Sequence, residues 1–239
     1  MFQKYFRREH QFFDYRHSIM SHDIYIPHPL ALRYERKYRI EQMPAHLVEQ
    51  IVRMHPASFQ KSFPDRQVNN VYFDTSTFTT FHENQSGIAQ RKKYRVRWYG
   101  PFMQILEHPV LEVKVKDNLL GYKESHPIPN ATLQNLDELK AVVNQQLNTH
   151  QALQAVLLNS YQRSYWVTPN QKIRLTIDWD LSFHQLFKHP QFSKFLLKDK
   201  AVIVELKYAE DQETAASRIM QHLPFRLTKQ SKYVEGVEM

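Results

Sequence analysis

The chain has 239 residues, room for one good-sized domain or at most two small ones. It has no cysteine, which excludes disulfides, thiolate metal sites, iron–sulfur clusters and cysteine nucleophiles, and its four glycines (Gly87, Gly100, Gly121, Gly236) stand too far apart to build a phosphate-cradling loop. Lys and Arg number 32 against 24 Asp and Glu, a net charge of +8 that favours an anionic partner such as nucleic acid, nucleotide, polyphosphate or a membrane surface.

Residues 1–31 are aromatic, His-rich and unpatterned and are expected to form an N-terminal extension, with residues 32–239 as a single domain. The first ten residues lack the apolar core of a secretory signal. The strongest apolar run, residues 155–158, falls far short of the roughly 20 residues of a spanning helix, so a cytoplasmic protein without a transmembrane segment is expected. Residues 32–40 alternate as a strand, and Pro44 opens a helix through about Met54, where a missing N–H costs least. A strand at 69–74 and a short helix at 77–86, ending at Gly87, come next. Residues 90–99 and 109–116 are long period-2 strands, the second turning at 117–120 into a hairpin partner over 121–128. Helical periodicity over 132–158 suggests two helices broken near Asn148-Thr149-His150. Strands are expected at 159–168, 172–183 and 201–208. A helix at 211–222 packs through Ala215, Ile219 and Leu223, and a last strand runs around 227–235. No repeat or low-complexity linker appears, and an α+β domain rich in antiparallel strands accounts for the whole.

Alternate residues of a strand point to opposite faces. Arg91, Lys93, Arg95 and Arg97 therefore share one face, opposite Tyr94, Val96 and Trp98. Glu112, Lys114 and Lys116 share another, as do Arg174, Thr176, Asp178 and Asp180, Glu205 and Lys207, Tyr161, Arg163 and Tyr165, and Arg33, Glu35, Lys37 and Arg39. A curved sheet with one wet face is one reading. The recurrence of Arg and Lys, each strand carrying one or two carboxylates, suits a closed sheet whose interior binds a polyanion and a hard cation such as Mg²⁺ or Mn²⁺.

Eight short motifs occur in order: Tyr34-Glu35-Arg36-Lys37-Tyr38, Asn70-Val71-Tyr72-Phe73-Asp74-Thr75, Lys93-Tyr94-Arg95-Val96-Arg97, Leu111-Glu112-Val113-Lys114, Tyr161-Gln162-Arg163, Arg174-Leu175-Thr176-Ile177-Asp178, Val204-Glu205-Leu206-Lys207-Tyr208 and Ser231-Lys232-Tyr233. The series, spanning about 32–235, resembles the polyphosphate polymerase domain of the vacuolar transporter chaperone family, a branch of the triphosphate tunnel metalloenzymes. The resemblance implies an α+β fold built on an antiparallel eight-stranded closed β-tunnel with flanking helices. It also implies metal-dependent phosphoryl transfer from ATP to a growing inorganic polyphosphate chain, releasing ADP. Under it, Lys37, Arg95, Arg97, Lys114, Arg163 and Arg174 grip the phosphates. Lys93, Lys207, Tyr161 and the C-terminal Lys229, Ser231 and Lys232 add substrate contacts. Glu205 holds the divalent cation, with Glu35 and Glu112 as auxiliary acids for the metal or for orienting the basic residues. Arg33 replaces a glutamate of the superfamily's E-x-E-x-K signature, which speaks against a simple triphosphatase.

Two other readings share these residues. A hydrolase would use the same tunnel to cleave nucleoside triphosphate or tripolyphosphate with water as acceptor, and a non-catalytic module would bind a polyanion, polyphosphate or nucleic acid, without turnover. No nucleic-acid recognition pattern is present, and the 13 histidines are scattered. Tyr72, Phe73, Trp98, Tyr165, Trp166 and Trp179 are expected in the core or the tunnel wall. A membrane partner and the oligomeric state stay open at this level.

Overall fold

The computed structural model describes residues 32–102, 105–149, 151–188 and 197–239, so the extension expected at 1–31 lies outside the described residues. The first half of the chain forms β1 (Tyr34–Ile40), α1 (Ala45–Arg53), β2 (Gln60–Asp74), α2 (Thr79–Gln85), β3 (Gln90–Tyr99) and β4 (Ile105–Leu106). Then come β5 (Val110–Asp117), β6 (Leu120–Pro127), β7 (Ala131–Thr132), α3 (Leu136–Leu147) and β8 (Gln154–Val167). The last part holds β9 (Ile173–Gln185), β10 (Leu197–Asp199), β11 (Val202–Tyr208), α4 (Glu213–Gln221), β12 (Leu227–Thr228) and α5 (Lys232–Glu238).

One antiparallel sheet carries the fold, in the order β12-β1-β11-β9-β8-β2-β3-β5-β6, with β10 attached to β9. It curls strongly. Arg33, just before β1, and Gly121 of β6 donate N–H groups to each other's carbonyls at 3.1 and 3.2 Å, bringing the two flanks together. Helices cover the outside. α1 and α4 pack Val48, Val52, Ala216 and Ile219 onto the outer face of β1, β9 and β11, where Val204, Leu206, Leu175 and Ile177 meet them. α3 lays Leu139 and Val143 on Val71, Val96, Trp98 and Leu111 of β2, β3 and β5. A third cluster joins α5 to one end of the curled sheet through Tyr233, Tyr72, Leu157 and Phe183.

Local chemistry explains most boundaries. Pro44 caps α1 in an extended conformation, and Val48 and Val52 supply its buried stripe. The Asn135 side chain accepts the Glu138 N–H to start α3, and Asn148 ends it in the left-handed region at φ 44°. Four expectations change. Residues 154–158 are strand, not a second helix: Val156, Leu157 and Leu158 are buried on both faces of β8, and such a strand shows no alternation. β2 begins nine residues earlier than expected, and its register shifts around Pro64 let it pass a residue that cannot donate to a ladder. The strand expected at 227–235 is only Leu227–Thr228. Ser231 then caps a short helix by accepting the Val234 N–H. On α4, Ala216 rather than Ala215 faces the core.

Candidate phosphate-binding cavity

The charged faces turn inward. The concave side of the sheet encloses a cavity whose β-strand walls are Lys37, Tyr72, Lys93, Arg95, Arg97 and Lys114, then Tyr161, Arg163, Glu205 and Lys207. Ser231, Lys232 and Tyr233, at the start of α5, complete it. Eight of these residues are cationic and one, Glu205, is anionic.

The cations are positioned in different ways. Arg95 donates from Nε to Glu112 at 2.7 Å and lies 3.4 Å from the Tyr72 hydroxyl. Arg97 donates to Asn70 Oδ1 at 2.8 Å and to the Tyr161 hydroxyl at 3.0 Å, and Asn70 is held by Asn159 at 2.7 Å. Arg163 forks onto Asp178, with Nε at 2.5 Å and Nη2 at 2.7 Å, while Lys232 reaches the same carboxylate at 2.6 Å. Lys93 donates to Ser231 Oγ at 2.8 Å, and Lys114 meets Glu35 at 2.5 Å.

Burial and charge pull the titrations apart. Burial pushes the Lys93 ammonium well below the usual lysine range, and Lys37, Lys114 and Arg91 add to the effect. Lys114 and Lys207 also fall, chiefly through burial. Burial would lower Lys37 too, but Glu205 and Glu35 outweigh it and raise the group. At Glu35, Asp178 and Glu205 burial pushes upward and loses. Lys114 brings Glu35 down to about 2, Arg163 and Lys232 bring Asp178 to about 2, and Lys207, Lys37 and Lys114 hold Glu205 well below its usual range.

Glu205 differs from the other acids. Only 6% exposed, it faces Lys207, Lys37 and Arg163 at 3.6, 3.8 and 3.9 Å, beyond hydrogen-bond reach, so its lone pairs stay available to the cavity. Glu112 is more heavily engaged: one oxygen takes Arg95 and the other Lys123. Among the described residues no group of three or more His, Asp or Glu converges as a metal cage. A hard cation that keeps water and phosphate ligands needs only one or two carboxylates; Glu205 lines the cavity, whereas Glu35, tied to Lys114, and Glu112 lie outside the lining.

Of the sequence-derived candidates, Lys37, Lys93, Arg95, Arg97, Lys114 and Arg163 line the cavity, as do Tyr161, Glu205, Lys207, Ser231 and Lys232. Arg174 lies directly across from Lys207 on the same sheet face, outside the lining. Lys229 is exposed in the link before α5 and is also outside it. Sequence reasoning missed Asp178 and Lys123 as partners of the site. Alternation had put Asp178 on the charged face, the one signal available. Tyr233 lines the cavity while donating its hydroxyl to the buried Asp74, which also accepts the N–H groups of Thr75, Thr80 and Phe81. These contacts dock α5 and bring Ser231 and Lys232 to the cavity.

Residues 32–239 match the family model described as the VTC domain. No curated protein matches the chain. Among solved structures, a candidate adenylate cyclase from Vibrio parahaemolyticus is 17% identical with a TM-score of 0.51, covering 87% of this chain and 99% of that one. Protein PH1819 from Pyrococcus horikoshii is 11% identical, with a TM-score of 0.46 and coverage of 85% and 94%. A candidate adenylyl cyclase from Hippeastrum, described as having a dominant triphosphatase activity, is 12% identical, with a TM-score of 0.46 and coverage of 85% and 93%. At 17% identity the likeness to the Vibrio protein bears on fold alone.

Proposed function

The chain belongs to the VTC domain family, and on that premise we propose that it is a polyphosphate polymerase. It would transfer the γ-phosphoryl group of ATP to the end of an inorganic polyphosphate chain inside a β-tunnel. The sheet is read as that tunnel, with β1, β11, β9, β8, β2, β3, β5 and β6 as its eight staves and the Arg33–Gly121 bridge as its seam. The observation that carries the reading is the concave wall of eight cations around a single loosely paired carboxylate.

The terminal phosphate of the acceptor is ionised at neutral pH, so no general base is required. Its oxygen forms a bond to the γ-phosphorus while the bond from that phosphorus to the β–γ bridging oxygen breaks, and ADP leaves with the electron pair. Arg95, Arg97 and Arg163, each fixed by a partner on a neighbouring strand, present pre-oriented N–H groups to the phosphate oxygens and offset charge on the transferring group. Lys37, Lys114 and Lys207 add point charges, and Ser231 and Lys232 close the wall from α5. A divalent cation held by Glu205 would supply further neutralisation of phosphate oxygens.

Incubation with ATP and Mn²⁺, with and without a short polyphosphate primer, tests the proposal on a gel. A ladder of long polyphosphate is expected. Free phosphate without a ladder would instead make the protein a hydrolase, and tight polyphosphate binding with no turnover would make it a binding module.

A further inference from the structure

The inner face of the sheet continues past the cavity. Arg66 on β2 is paired directly across from Arg163 on β8, and residues so paired project to the same face. α5 packs against Leu157 near the other end of β8. Eight residues of strand separate Leu157 from Tyr165, a span of about 27 Å. The Arg66–Tyr165 region is therefore the mouth away from α5.

Here the Arg66 guanidinium carbon lies 4.9 Å from the ring centre of Tyr165, 5.0 Å from that of Tyr99 and 5.2 Å from that of Phe63. The inner-face arginines of the cavity have polar anchors: Arg95 has Glu112, Arg163 has Asp178, and Arg97 has Asn70 and Tyr161. Arg66 is framed by ring faces. Its Nε is buried with no hydrogen-bond partner among the described residues, and the same holds for the Tyr165 hydroxyl and for Thr176 Oγ1, directly across from Tyr165. Two arginines opposite one another repel. Asp178 offsets the charge of Arg163, whereas no carboxylate among the described residues pairs with Arg66. Tyr99 and Phe63 are 42% and 44% exposed, so the cluster opens to solvent.

We propose that Arg66, framed by Phe63, Tyr99 and Tyr165, is an outer anion subsite that takes the phosphates of a polyphosphate chain extending beyond the segment held by Arg97 and Arg163. This rests on the reading of the cavity as a polyphosphate site. Phosphate suits the unmatched groups, which are N–H and O–H donors beside ring faces already covered by the guanidinium. An anion lying between Arg66 and Arg163 also removes their repulsion. Chains longer than the cavity should therefore be held more tightly than short ones.

Calorimetric titration of the full chain with inorganic tripolyphosphate, ATP and a long-chain inorganic polyphosphate tests this. Wild type is expected to bind the long chain more tightly than tripolyphosphate. Arg66→Gln should lose on the order of tenfold in affinity for the long chain and keep its affinity for tripolyphosphate, which also serves as the folding control. Arg66→Lys, with the charge but not the fork, should fall between. Long-chain affinity unchanged in Arg66→Gln, or an equal loss for both inorganic ligands in Arg66→Gln and Arg66→Lys, overturns the proposal. So does a loss confined to ATP, which would make the cluster a nucleobase platform. Wild type binding neither inorganic ligand would overturn the polyphosphate reading itself, a result distinct from failure of the outer subsite alone.

Discussion

Asp178 ties two walls of the cavity together, and removing its charge should be felt in both stability and ligand response. The side chain is fully buried and holds Arg163 on the neighbouring strand and Lys232 on α5. Its carboxyl falls from 3.8 to about 2, which corresponds to about 2 kcal/mol of folding free energy. The folded-state value lies below the unfolded one, so this stabilisation is present in full above about pH 4 and is lost as pH falls toward 2. Asp178→Asn keeps the shape but leaves a buried guanidinium and an ammonium without their counter-ion, a change that costs about 3 kcal/mol at neutral pH. At 2–4 °C per kcal/mol for a chain of this size, melting should drop by about 6–12 °C. The freed cations should welcome an anion, so inorganic tripolyphosphate should raise the melting temperature of the variant by more than it raises that of wild type. Thermal and urea melts from pH 2 to pH 7, with and without tripolyphosphate, measure all three effects. A variant that melts like wild type at neutral pH and shows the same acid slope would refute the assignment of Asp178 as the counter-ion.

Three further outcomes are expected. Gly236 sits on α5 where a Cβ would come 2.5 Å from Phe183 Cδ1 and 2.6 Å from Leu157 Cδ2, both in the core. Gly236→Ala should therefore cost about 1–3 kcal/mol despite alanine's better helix propensity and weaken tripolyphosphate binding by displacing Ser231 and Lys232; a denaturant melt as stable as wild type would contradict this. Glu205→Gln should lower ATP turnover with Mn²⁺ by about two orders of magnitude while metal-free ATP binding persists, and turnover like wild type would remove Glu205 from metal binding. Lys93, depressed below its ordinary 10.5, should take up a proton when a phosphate anion enters, so affinity should fall as pH rises through the window between the depressed value and 10.5. Calorimetry in two buffers of different ionisation heat reads the proton directly, and Lys93→Met should abolish the uptake.

The sequence alone determined which face of each long strand is charged. Period-2 alternation is a property of the local backbone, so Lys93, Arg95 and Arg97, or Glu205 and Lys207, share a side whatever the rest of the chain does. The motif order also pointed to the family and to eleven of the residues that line the cavity. Tertiary structure decided which partners each carboxylate meets. Glu112 and Glu205 look alike in sequence, each a mid-strand glutamate between apolar neighbours. One is held closely by Arg95 and Lys123 on neighbouring strands and the other faces cations at 3.6–3.9 Å. The helix Lys232–Glu238 is docked by partners far away in sequence, with Tyr233 bonded to Asp74 159 positions earlier and Lys232 to Asp178 54 positions earlier. β8 hid its beginning because burial on both faces erases the alternation that marks a strand. Arg66 stood in the irregular stretch beside Pro64, where no period could place it. Periodicity follows from bond geometry within a few residues; counter-ions, burial and the closing of the wall follow from which distant strands the fold brings side by side.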